Sequence, residues 1–297
     1  MYVSIISSFL EELGYNDIVD GCYSLGVYAV ELRGREWGMA SSVPFFEDQE
    51  REQRREALLE QLKSNRIKIS CINIQTFYFD HHAKPVISNL VDIVRKLFKN
   101  PHVTTRTLYL GPPNDTDPEI SDKEYAGRVS AELKNILDKT ADLGLEIALE
   151  NHGAKDRSLG VKRDFLQMVL KYVNSERLGL TLDTGCFYWL YPLDEYYKIT
   201  EYFLPYVKNV HLKNQTFPPE QRHGMKSGIP VQEAHDTLYD GDIDLRRVIK
   251  MLEGSGYDGA LCIEDHSFAR LAKVKGGGIE EMRRIIKRDI EFIRDIL

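Results

Sequence analysis

The sequence predicts one α/β domain over residues 1–297, an eight-stranded parallel barrel of the (β/α)8 type. Eight short apolar runs carry this expectation: "YVSIISS" from 2, "GVYAVELRG" from 26, "KISCINIQ" from 68, "TTRTLYLGP" from 104, "LEIALENHG" from 145, "LGLTLDTG" from 178, "VKNVHLKNQ" from 207 and "GALCIEDHS" from 259. Helical patterns lie between them, and parallel neighbours need the crossover that a helix supplies. No linker rich in Pro, Gly or Ser divides the alternation. An open doubly wound sheet is the rival, but it wants a glycine fingerprint after the first strand, and "IISSFLEELGYN" has no GxGxxG.

Three helices are written clearly. In "SDKEYAGRVSAELKNILDKTADLG", Ser121 and Glu124 form a capping box, Val129, Leu133, Ile136 and Leu137 share one face, and Gly144 is the stop. In "GDIDLRRVIKMLEGSG", Asp242 or Asp244 is the cap, with Leu245, Val248, Ile249 and Leu252 inward. The last helix, 279 to 297, puts Ile279, Met282, Ile286, Ile290, Ile293 and Leu297 on one side.

Composition narrows the function. With 42% hydrophobic residues the chain can build a large core, and 39 basic against 46 acidic residues leave a net charge of −7. That balance gives no global field to hold a polyanion, so no nucleic-acid partner is expected. Cys22, Cys71, Cys186 and Cys262 are far apart, without a CxxC pair, and read as buried free thiols. "MYVSIISSFLEE" lacks the basic start of a secretory signal, and no apolar run reaches about 18 residues. A cytoplasmic protein without membrane contact is expected.

The chemistry sits at the strand ends. "LEIALENHG" alternates as a strand should and then closes on Glu150, Asn151 and His152. In a barrel the carboxyl ends of the strands form the rim of the active site. The sixth strand ends on Asp183, the seventh on His211 and the eighth on Glu264. One acidic residue after a strand is ordinarily just the cap of the next helix. Four polar ends on consecutive strands converge, and three carboxylates with one imidazole repel one another unless a cation joins them. That donor set suits one divalent ion, Mn²⁺ first, with Mg²⁺, Co²⁺ or Zn²⁺ as alternatives.

"ENHG", "LDTGC", "VHLKN" and "GDIDLRRVIKMLEGSGYDGALCIE" resemble segments of the xylose-isomerase-like TIM barrel family. That family includes sugar isomerases and 3-epimerases, inosose dehydratases and, more distantly, endonuclease IV. The resemblance implies that Glu150, Asp183, His211 and Glu264 are the metal ligands and that the two glutamates are also the acid and base. The implied activity is isomerisation or epimerisation of a sugar or sugar phosphate: a proton beside a carbonyl is removed, and the enediolate that forms is stabilised by the ion. A keto-polyol dehydratase would use the same ligands. An endonuclease IV-like nuclease would need histidines where the third and fourth strands end in Gln75 and in Leu110 and Gly111.

Further residues are candidates for substrate contact. Lys213, two positions beyond His211, shares its face and would polarise a substrate oxygen or snorkel at the mouth. His152 and His266 follow Glu150 and Glu264 with the same parity. Glu31 should lie low in the cavity, as a substrate contact or in a buried ion pair with Arg33 or another strand's base. Cys186 stands where many relatives carry Asn or His, which points to a different substrate set. Trp37, Phe77, Tyr78 and Phe79 are aromatic candidates for a sugar wall. The 214–243 loop, with Arg222, His223, Lys226 and His235, reads as a lid. Lys273, Lys275 and the glycines before the last helix read as flexible capping first and as a phosphate site second. By analogy with such barrels, a homodimer or homotetramer is expected.

Overall fold

A computed structural model describes residues 1–33, 49–75, 78–112, 116–153, 158–217 and 231–297. Strands β1 (Tyr2–Ile6), β2 (Ala29–Arg33), β3 (Lys68–Gln75), β4 (Thr107–Leu110), β5 (Glu146–Glu150), β6 (Leu178–Asp183) and β7 (Val207–Leu212) follow the expected order. A small hairpin, β8 (Asn214–Gln215) with β9 (His235–Asp236), precedes the eighth barrel strand, β10 (Ala260–Ile263). The hydrogen-bonded order β1-β10-β7-β6-β5-β4-β3-β2 closes because β1 pairs in parallel with both β10 and β2. The open doubly wound sheet is thereby excluded. No helix among the described residues is long and apolar enough to cross a membrane.

Strand alternation divides the barrel into two faces. Ile147 and Leu149, Leu180 and Leu182, Val210 and Leu212, and Leu261 and Ile263 join a core with the helix residues Val129, Leu133, Phe165, Val169, Val248, Leu252, Ile286 and Ile290. These aliphatic side chains therefore face the helices. Their strand neighbours take the opposite face and look at the barrel axis. Among them are Glu31, Asn73, Tyr109, Glu150, Asp183, Asn209 and His211, all buried. The reason is the available surface: the surrounding helices offer long apolar faces, whereas the axis offers only other strands' side chains.

Local signals set the helix ends. The Ser121 hydroxyl accepts the Glu124 amide at 3.2 Å, opening the helix Asp122–Lys139. Asp244, not Asp242, caps the helix Leu245–Gly254, accepting the Arg247 amide at 3.1 Å. Asp242 instead accepts from the Tyr188 hydroxyl and the Phe217 amide, each at 2.9 Å, which anchors the segment after β8. Gly144 adopts φ +61° after a short 3-10 turn, Ala141–Leu143. The last helix is Ile279–Arg294, and its buried stripe is Ile285, Ile286, Ile290 and Ile293. Ile279 and Leu297 are 47% and 51% exposed because the stripe overruns the wall it covers.

One buried pair of acids belongs to this frame. Asp289 of the last helix accepts the Leu238 amide at 2.8 Å and lies against Asp265, which itself accepts the amide and hydroxyl of Ser267. Burial, and then the charge of Asp265, push the Asp289 carboxyl well above its ordinary range. A proton is thus kept by the folded state while the unfolded chain releases it above about pH 4, so this site's contribution falls as pH rises from there towards the folded value. Asp289→Asn retains an acceptor for Leu238 and a donor for Asp265 without needing that proton. The variant's gain in melting temperature over the parent is expected to be larger at pH 8 than at pH 5, read by thermal denaturation at both.

Candidate active site

The polar strand ends meet at the carboxyl-terminal mouth of the barrel. Ligand atoms of Glu150, Asp183, His211 and Glu264 all lie within 4.8 Å of one another, and all four residues are buried. Strand register accounts for part of this, since Asp183 pairs with His211, and His211 with Cys262, two residues before Glu264. The His211 Nδ1 is 3.0 Å from Glu150 Oε1 and 2.7 Å from Glu264 Oε2. The Lys213 Nζ is 2.5 Å from Asp183 Oδ2 and 3.0 Å from Glu264 Oε2. An imidazole and an ammonium are thus wedged among three carboxylates.

Electrostatics follow from that geometry. For His211, burial pulls the pKa down, but Glu31, Glu264 and Glu150 outweigh it and hold the ring well above its ordinary value. Burial likewise opposes the charge on Lys213, yet Asp183 and Glu264 keep its ammonium well above the usual lysine range. Glu150 is pushed up by burial and pulled down further by His152, His211 and Lys213, ending at about 2. Glu264 is held well below the carboxylate range in the same way, with Lys213 and His211 outweighing burial. All three carboxylates are acceptors gathered around a point of positive charge. Three carboxylate oxygens and one imidazole nitrogen so arranged can hold a divalent ion.

The residues beside these four hold them in place. Asn151, the amide in "ENHG", donates to the Asp183 carbonyl at 3.0 Å and accepts the Asp183 amide at 2.6 Å, locking β5 to β6 at the rim. Asp183 Oδ1 accepts the Gly185 and Cys186 amides at 2.9 and 3.1 Å, which leaves Oδ2 for the centre. Thr184 bridges to the Lys213 backbone, donating to its carbonyl at 2.6 Å and accepting its amide at 2.8 Å. Gly153 is required: its φ is +153°, and a Cβ there would lie 2.2 Å from Ser158 Cβ.

The other sequence candidates divide. His266 joins the site, with Nε2 3.4 Å from Glu264 Oε1 and its ring stacked on His235 at 5.2 Å. His152 lies close enough to Glu150 to lower its pKa. Glu31 is buried beneath the centre and meets His211, the base on another strand. Cys186 is buried; its thiol is pushed well above its ordinary value by burial and by Asp183, so it stays protonated. Tyr78 and Phe79 do not form a sugar wall. Both are core residues in edge contact with each other, and the Tyr78 hydroxyl donates to Glu132 at 2.9 Å. The expected phosphate site meets acids: Glu280 and Glu281 occupy the first turn of the last helix, and Lys275 pairs with Glu281 at 3.6 Å. Trp37, Phe77, Arg222, His223 and Lys226 lie outside the described residues.

Sequence reasoning missed Tyr109 and undervalued Arg33. The Tyr109 hydroxyl donates to Glu150 Oε2, and its ring stacks on His211 at 5.4 Å with an 18° tilt. Arg33 Nη1 is 3.9 Å from Glu264 Oε1, and its side chain is 26% exposed at the mouth. Inward parity in "TLYL" and "VELR" was the available signal, masked by the apolar residues around it.

A family model described as xylose isomerase-like TIM barrel matches residues 19–296. The chain belongs to that family. Among solved structures, this xylose isomerase-like barrel is similar to a probable 3-DHS dehydratase from Bacillus anthracis involved in petrobactin synthesis, at 17% identity and TM-score 0.67, covering 99% of each chain. It is also similar to the IolI protein with a bound zinc atom, at 17% identity and TM-score 0.69, covering 97% of this chain and 96% of that one. A third is a D-tagatose 3-epimerase-like protein, at 16% identity and TM-score 0.66, covering 99% of each chain. No curated protein matches the sequence itself.

Removing the ammonium leaves its carboxylate partners buried and uncompensated. Lys213→Met is expected to destabilise the metal-free protein by about 3–5 kcal/mol. Added Mn²⁺ should restore much of that loss, checked by denaturant unfolding with and without the ion.

Proposed function

We propose that this chain is a divalent-metal-dependent isomerase or epimerase of sugars or sugar phosphates. The observation that carries the reading is the set of three carboxylates and one imidazole converging at the barrel mouth. The zinc atom bound by the similar IolI protein, and the epimerase-like and dehydratase names of other similar structures, support the same class. Glu150, Asp183, His211 and Glu264 would hold the ion, Mn²⁺ first, with Mg²⁺, Co²⁺ or Zn²⁺ as alternatives. When bound, the ion supplies positive charge that stabilises negative charge developing on a carbonyl and its neighbouring hydroxyl.

Both glutamates serve as acid and base, and their surroundings distinguish them. Glu150 has Oε2 accepting from Tyr109 and Oε1 facing His211, so neither oxygen is turned to the mouth. Glu264 directs Oε1 towards Arg33 and His266 at the rim. Glu264 therefore takes the proton beside the substrate carbonyl. Glu150, three strands away around the barrel, is ionised in the free protein; it takes the proton of the Tyr109 hydroxyl on its Oε2 and passes it to the substrate, and solvent restores the tyrosine at the end of turnover. Lys213 and His152 bind substrate oxygens, with Cys186, Arg33 and His266 lining the approach. Trp37 and Arg222 remain candidate substrate contacts from sequence alone.

A dehydratase acting on a keto-polyol is the second reading. The contact between His266 and Glu264 favours it, because a second proton carrier beside the base is what protonation of a leaving hydroxyl requires. Incubating the metal-loaded protein with ketoses and keto-inositols in D2O separates the two. Deuterium entering recovered sugar supports the isomerase or epimerase, and loss of water supports the dehydratase. In either case Glu264→Gln is expected to lower the rate of deuterium exchange by about 10²–10⁴-fold. Exchange at the parent rate in that variant would remove Glu264 as the base.

A further inference from the structure

We propose that Glu31 is a positioning residue for the metal centre: it accepts the Nε2–H of His211 and so leaves Nδ1 as the nitrogen that would face an ion held by the carboxylate cluster. The inference rests on the metal reading above and adds a function for a side chain that touches neither ion nor substrate.

The geometry points to this assignment. Glu31 lies on β2, fully buried, and its Oε2 is 2.9 Å from His211 Nε2. The other ring nitrogen, Nδ1, faces Glu150 and Glu264. With an ion on Nδ1 the imidazole would keep one N–H, on Nε2, and that proton needs an acceptor. Glu31 is that acceptor, and it is itself fixed. Asn73 Nδ2 donates to Oε1 at 3.2 Å, and Asn209 Nδ2 donates to Oε2 at 2.9 Å. Tyr109, stacked on the ring, sets its plane. A carboxylate behind a metal-facing histidine orients the ring and raises its basicity.

A second ion held by Glu31, His211 and Cys262 is the competing account, since their ligand atoms also lie within 4.8 Å of one another. The Glu31 oxygens already accept from Asn73 and Asn209, which disfavours it.

The test uses Zn²⁺ as a diamagnetic probe with the full chain and its Glu31→Gln and Glu31→Leu variants. Glu31→Gln is the shape-preserving change: the Asn73 Oδ1 is buried without a partner, so a flipped Asn73 amide can accept from the new amide group. Competition against a chromophoric chelator should show zinc binding weakened about 10-fold in Glu31→Gln and nearer 100-fold in Glu31→Leu. The metal-free melting temperature of Glu31→Gln should stay near the parent's. In zinc-loaded protein labelled with ¹⁵N-histidine, His211 should carry a downfield Nε2–H that moves upfield in Glu31→Gln. Parent affinity in both variants, or a His211 protonated at Nδ1, overturns the inference and leaves the metal reading intact. If Glu31→Leu does not fold, the glutamine variant decides. Failure of the parent itself to bind zinc overturns both.

Discussion

Three carboxylates share a space a few ångströms wide inside a closed sheet, and everything around them serves to make that tolerable. Isolated buried charges are so costly that proteins ordinarily neutralise or pair them. Here Lys213 and His211 are inserted among Asp183, Glu150 and Glu264, and the pKa shifts of Lys213, His211, Glu150 and Glu264 favour their charged forms. A site that already gathers cations in this way needs little rearrangement to hold a divalent one.

That constraint explains the uncommon division of labour in the strands. Each strand near the site gives its aliphatic residues to the helices and its polar residues to the axis, so the hydrophobic core is a sleeve around a polar centre. Core packing fixes the strands, and the strands fix the side chains. Backbone ties reinforce this at the rim, where Asn151 and Thr184 link β5 to β6 and β6 to the end of β7. A site made of strand ends is held more tightly than one made of loops alone.

The second layer follows the same logic. Tyr109 occupies an oxygen of Glu150, and Glu31 faces the far nitrogen of His211. These contacts give chemically similar groups different duties, since the two glutamates differ less in themselves than in what each touches.

Eight strands, their order and the four polar strand ends were legible in the sequence because each is a local pattern: alternation, a cap, a charge after an apolar run. Chain-neighbour parity also put Lys213 and His266 on the face of the strand ends, where both lie against Glu264. Tertiary structure alone decided the rest. Parity turns the tyrosine of "TLYL" inward, but only closure of the barrel decides that it meets Glu150 there while Tyr78 packs in the core. The partner of Glu31 was equally hidden, for it lies 180 residues away and became its neighbour only when β2 and β7 curved to face one another across the barrel axis. The sequence by itself determined which side chains each strand offers at its mouth; curvature and register, which depend on all eight strands at once, determined which of them touch.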